Sequence, residues 1–184
     1  NHLGINQVIR VNENLSLNGA FFRLKDSYLS FDVAFTELKD FKQVFDSRAE
    51  VELNTSRVKL KDLFPLIPSL ESDFKNEPLA TQFLQIEGDY IVSRTDISGD
   101  DIKIWLGETH FFEGRGVFTK TGSYNESLLN FEVTQLSTDL NVLDRDINMI
   151  NIPAELKRLG LVNFNGTFDG FLNDFIAQGA LATE

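Results

Sequence analysis

The chain has no cysteine, one tryptophan, one methionine and two histidines in 184 residues. Without cysteine there is no disulfide, no thiol nucleophile and no thiolate metal site. His2 and His110 stand far apart, and neither has a histidine partner at ligand spacing, which argues against the usual metal motifs. No run reaches the roughly 18 apolar residues of a membrane helix, and no signal peptide opens the chain. The first residue is Asn1 rather than Met, so a segment of a longer protein is expected. Basic residues are also scarce: 17 Lys and Arg against 28 Asp and Glu, a net charge of −11. That balance argues against a nucleic-acid partner, which needs basic patches for phosphate. It argues equally against docking on an anionic membrane surface.

Catalytic signatures are missing too. There is no G-x-S-x-G elbow and no P-loop, and Gly114-Arg-Gly116 lacks the third glycine of a dinucleotide fingerprint. Asp96, Asp100 and Asp101 do not follow calcium-loop order. They read as solvated turn acids, as do Asp144 and Asp146. With so many carboxylates, no pair of them signals glycoside hydrolysis. The reading is of a chain that is not an enzyme, with no cofactor and no metal.

What the chain has in quantity is phenylalanine, 17 residues of it. Phe adds apolar area without a hydrogen-bonding group, so the surplus means a thick core or a surface that meets something greasy. Period-two stripes dominate. Leu29, Phe31, Val33 and Phe35 form one, and Ala49, Val51 and Leu53 a second. Leu84, Ile86, Gly88, Tyr90 and Val92 follow, then Ile102, Ile104 and Leu106, with Trp105 out of pattern. Leu129, Phe131 and Val133 precede the last stripes, Val162 to Phe168 and Phe175 to Gly179. One dry face and one wet face favour antiparallel sheets. A short phrase recurs as Leu17-x-Gly19-x-Phe21, Ile86-x-Gly88-x-Tyr90, Phe112-x-Gly114-x-Gly116-x-Phe118 and Phe164-x-Gly166-x-Phe168. Such reuse points to an elongated β-structure built by repetition.

Turn chemistry is expected at Lys25-Asp26-Ser27, Ser98-Gly99-Asp100, Thr121-Gly122-Ser123 and around Asn163 to Gly166. One to three short helices are expected. Leu60, Leu63, Phe64 and Ile67 have helical spacing that Pro65 and Pro68 interrupt. Pro153 to Leu159 opens on Pro and is followed by Gly160. Leu38, Phe41, Val44 and Phe45 fit a helix or a strand. Residues 71–78 read as the longest loop. No linker divides the chain, so residues 1–184 are expected to form a single domain.

The stretch from Ile152-Pro-Ala-Glu-Leu-Lys-Arg-Leu-Gly160 through Val162-Asn-Phe-Asn-Gly-Thr-Phe-Asp-Gly170 to Phe171-Leu-Asn-Asp-Phe-Ile-Ala-Gln-Gly179 resembles the TamB branch of the AsmA-like proteins, in its Bacteroidetes form. Ser56 to Pro65 is similar to that family's strand leading into an aspartate-leucine turn. The resemblance implies a mainly β fold, a curved, antiparallel-rich half-pipe or "β-taco". It implies a periplasmic location, with a parent protein anchored in the inner membrane of a Gram-negative bacterium. It also implies contact with phospholipid acyl chains and with an Omp85-type outer-membrane barrel, and no catalytic residues.

On that reading each apolar stripe lines a trough for phospholipid transport. Phe31, Phe35, Phe112, Phe118, Phe131, Phe164, Phe168 and Phe175 are the candidate lining residues. Gly88, Gly114, Gly166 and Gly179 would let the sheet curl or leave room between rings. Two other functions remain open: an outer-membrane assembly factor that templates strands along its edge, and a plain β-sandwich adhesion module with a filled core.

Overall fold

The alternating stripes build one open, curved antiparallel sheet of eleven strands, not closed into a barrel. The structure is a computed structural model that describes residues 2–38, 40, 44, 47–65, 71, 74–121, 127–146, 152–171 and 174–183. The strands are β1 (His2–Gly4), β2 (Gln7–Val11), β3 (Asn14–Leu24), β4 (Ser27–Phe35), β5 (Ala49–Lys59) and β6 (Phe83–Val92). They continue as β7 (Asp96–Leu106), β8 (His110–Thr119), β9 (Leu128–Asp139), β10 (Leu161–Phe171) and β11 (Asp174–Thr183). From β3 onward each strand pairs with the next in sequence, and β1 and β2 both pair with β3 as one interrupted edge. Every pairing is antiparallel, as clean alternation requires.

Three short α-helices lie among the described residues: α1 (Leu60–Leu63), α2 (Leu140–Asp146) and α3 (Ala154–Lys157). A 3-10 turn at Pro78–Thr81 follows Glu77. All four sit in the β5–β6 and β9–β10 connections, which leave the sheet at the same rim. This helical rim also carries the tight β3–β4 and β7–β8 turns. The expected helix over Pro153 to Leu159 is α3, where Pro153 pre-sets φ at −54°. The helical spacing at Leu60 and Leu63 gives one turn. Ile67, Pro68, Phe41, Phe45, Gly122 and Ser123, on which other expectations rested, lie outside the described residues.

Two expected turns are not turns. Ser98-Gly99-Asp100 lies inside β7, and Asn163 to Gly166 lies inside β10. The reason is a line of β-bulges. Leu17 and Ala20 of β3 stand opposite Val33 and Phe31, three residues against two. In β5, Leu53 and Ser56 span three residues against two from Gly88 to Ile86. In β7, Gly99 and Ile102 oppose Gly116 and Gly114. In β9, Val133 and Leu136 oppose Gly166 and Phe164. Each extra residue flips the alternation, so Leu129, Phe131 and Val133 share a face with Leu136 and Thr138. Asp101 takes φ of 50° at the β7 bulge. The β5 bulge is held by Ser56, fully buried, whose hydroxyl accepts from Ser30 N (3.0 Å) and donates to the Asn54 carbonyl (2.7 Å).

Candidate functional site

Following the register from strand to strand places all the stripes on one face. Phe31 stands beside Leu53, Phe35 beside Ala49, Phe112 beside Ile104 and Leu136, and Phe118 beside Ile97 and Leu129. Phe168 stands between Phe131 and Ala177, and Phe164 between Leu136 and Leu181. Phe175 opposes Gly170. The eight candidate phenylalanines therefore belong to a single inner face. None of them is buried: seven are half-buried and Phe175 is 49% exposed. The described residues contain no second sheet over them.

The four candidate glycines fall on one row across that face. Leu53 pairs with Gly88, Ile102 with Gly114, Gly114 with Val133, Val133 with Gly166 and Gly166 with Gly179. A Cβ on Gly88 would stand 3.1 Å from Ile102 Cα, which joins the two halves of the row. This row, in which the glycines alternate with Leu53, Ile102 and Val133, runs beside the bulges, where curvature is built into sheets. Aromatic rings lie down over it. Phe164 reaches to within 2.8 Å of where a Gly166 Cβ would be and meets Phe168 with ring centres 5.0 Å apart. Phe168 continues to Phe175 at 5.4 Å, and Phe112 meets Phe131 edge-on at 5.9 Å. In β8 and β10 the glycine-aromatic phrase is thus a ring folded across a gap toward the next ring, whereas in β3 the bulge turns Phe21 to the outer face.

Toward the helical rim the inner face is sealed. Leu24, Ser27, Val58, Leu106, His110, Thr138 and Val162 are all buried there. Two polar clasps tie the helices to this row. Asp62 of α1 accepts from Ser27 Oγ at 2.7 Å. Asp146 of α2 stands 3.7 Å from His110 Nε2, while His110 Nδ1 meets Thr138 Oγ1 at 2.6 Å. Burial pushes the His110 imidazole below its ordinary value, against the pull of Asp146, and Nε2 has no hydrogen-bond partner. Burial alone would raise the Asp146 carboxyl, but hydrogen bonds from Gln82 and Arg145 hold it below the usual carboxylate range.

Away from that rim the face is open. A recess of about 600 Å³ lies there, between β2 and β5. Every lining residue is apolar, including Leu17, Leu29, Phe31, Val33, Phe35 and Leu53. Ile5 and Val8 close one side of it and Val44 contributes from the β4–β5 connection. Of these, Phe31 and Phe35 are expected lining residues and Leu29, Val33, Val51 and Leu53 belong to expected stripes, whereas Ile5, Val8, Leu15 and Val44 carry no such expectation. Leu15 and Leu17 carried the signal, but the bulge breaks their stripe before Ala20 and Phe22.

Across β4 to β7 the outer face carries a row of acids. Asp32, Glu52, Asp89 and Asp100 stand directly opposite one another across β4 to β7. They line a shallow groove of about 390 Å³ together with Glu50. Among the described residues no His, Cys, Asp and Glu group is placed to hold a metal ion, and no helix is long and apolar enough to cross a membrane. No protein-family model, curated protein or solved structure matches the chain.

Proposed function

We propose that the chain is a periplasmic segment of an AsmA-like protein whose inner face carries phospholipid acyl chains between the inner and outer membranes. The observation that carries this reading is the half-buried or exposed position of all eight phenylalanines on one face, over which the described residues place no second sheet. The family-like stretch supports it from sequence, and it falls on α3, β10 and β11.

Each methylene that leaves water against this face contributes about 0.8 kcal/mol. The ring-and-gap unit recurs on every second strand, β6, β8 and β10, so a chain displaced by two strand spacings, roughly 9.6 Å, meets nearly the same surface. Such repetition flattens the energy profile along the sheet and permits sliding. Nine spacings separate β1 from β11, or about 43 Å of path. Headgroups stay in water at the open rim, so the face selects for tails rather than heads. An Omp85-type barrel would be the partner at the outer membrane.

A second reading, strand templating for outer-membrane proteins, draws on β11. Its residues are exposed throughout, and among the described residues only β10 pairs with it. Photo-crosslinkers separate the two. At Phe131 and Phe168 they capture extractable phospholipid in the transport reading, while those at Glu132 and Asp169, on the outer face, do not. Equal labelling of both faces, or capture of nascent barrel strands at β11 without lipid, removes the transport reading.

A further inference from the structure

The net charge of −11 conceals a basic corner on the outer face of β3 to β5 at the helical rim. Arg23 and Arg57 both stand opposite Tyr28. The Arg23 guanidinium lies 5.5 Å from the Tyr28 ring centre, and that of Arg57 lies 3.7 Å from the Phe83 ring centre. Lys59 Nζ is 4.4 Å from the same Phe83 ring and pairs with Asp26 at 2.9 Å. The hydrogen bond from Lys59 holds the Asp26 carboxyl below its ordinary range, and the charges of Lys61 and Lys25 add to the effect. Phe21 extends the aromatic row, 6.3 Å from Tyr28. Five of the 17 basic residues thus share one corner around a single ion-paired carboxylate.

We propose that this corner docks the protein on an anionic lipid bilayer. The charge is complementary to lipid phosphates. The cations lie across aromatic faces, an arrangement suited to the headgroup layer, where amphipathic rings and snorkelling Arg and Lys collect. The neighbouring acid row, Asp32, Glu52, Asp89 and Asp100, is repelled by the same surface. It therefore sets the orientation, with the helical rim down and the acidic part of the outer face lifted away. A planar bilayer meets the rim alone, whereas a long soluble polyanion lying along the strands would run into the acids. The proposal stands independently of what the inner face carries.

The test is co-sedimentation of the full chain with phosphatidylcholine vesicles, with and without phosphatidylglycerol. Binding is expected only to the anionic vesicles and is expected to disappear at high salt. Each cation removed costs about fivefold in affinity, so Arg57→Gln weakens binding about fivefold and Arg23→Gln/Arg57→Gln by about 25-fold. Arg94→Glu, an exposed charge change in the β6–β7 turn at the opposite rim, leaves docking unchanged. Phe131→Asp, which damages the inner face, also leaves it in place, and this separates failure here from failure of the transport reading. No binding, equal binding to both vesicle types, or indifference to the arginine variants in a chain of unchanged circular dichroism overturns the proposal. Retention on heparin without vesicle binding also overturns it, in favour of a soluble polyanion.

Discussion

Gly166 and Gly179 face each other across β10 and β11 so closely that a Cβ built on either would stand within 2.7 Å of the other's Cα. Gly166 also takes φ of 156°, at the limit of what side chains adopt, and its Cβ would strike the Gln178 carbonyl oxygen. Neither obstacle is a flexible side-chain end. Gly166→Ala is therefore expected to destabilise the chain by about 2 kcal/mol or more, measured by urea unfolding. Gly160→Ala is the control: its φ of 62° is strained, but nothing stands within 4 Å of its Cβ, so it is expected to cost about 1 kcal/mol.

The open face predicts a mutational signature of its own. In a filled core, Phe→Ala costs about 3–5 kcal/mol. Phe131 is half-buried, whereas Val133, two residues on, is 1% exposed. Phe131→Ala is expected to cost only about 1–2 kcal/mol, since much of its area already faces water. Val133→Ala, although it removes fewer atoms, is expected to cost about as much. A loss near 4 kcal/mol at Phe131 would place that ring in a sealed interior and end the trough reading.

Acid pH should loosen the helical rim through His110. The buried imidazole has a folded pKa below its ordinary value of 6.5, so the folded state favours the neutral form. Its contribution is fully present above about pH 6.5 and is lost as pH falls from there through the lowered folded value. Asp146, Asp139 and Arg145 are the charged groups that act on it, Asp146 and Asp139 raising its value and Arg145 lowering it. Asp146 acts in the same direction at lower pH: its depressed pKa adds stability above the ordinary value of 3.8, lost only as pH falls below it. The protection factors of the α2 amides, corrected for the intrinsic pH dependence of exchange, are expected to fall between pH 7 and pH 5 in the native chain. His110→Gln should flatten that response, and an unchanged slope in this variant would assign it to other groups.

Much of this architecture was legible in the alternation, and what was not has one physical cause. β4, β6, β8 and β10 keep a single phase along their length, so Phe31, Phe112, Phe164 and Phe168 were assigned correctly to one face by period two alone. β3, β5, β7 and β9 change phase at their bulges. Leu136 and Thr138 were missed for that reason, although they continue the row of Phe131 and Val133. At Ser98-Gly99-Asp100 the polar and glycine content that favours a turn instead marks the bulge beside it. The rim clasps were out of reach because Ser27 and Asp62, or His110 and Asp146, are joined only by topology. Trp105 left the stripe because it stacks on Phe111 across the outer face, ring centres 5.1 Å apart.

The acid row offers the sharpest electrostatic test. Glu52 stands between Asp32 and Asp89, directly opposite both, and like charges in cross-strand pairs destabilise a sheet. Glu52→Lys replaces two repulsions by two attractions on an exposed surface. It is expected to stabilise the chain by about 0.5–2 kcal/mol at low ionic strength. Added salt should erase most of that gain, because the charges are solvent-screened. Glu52→Gln, which only removes the repulsion, should give about half the effect. Unfolding midpoints of the three proteins at two salt concentrations check this. A destabilised Glu52→Lys at low salt would mean that some cation absent from this structure already neutralises the row.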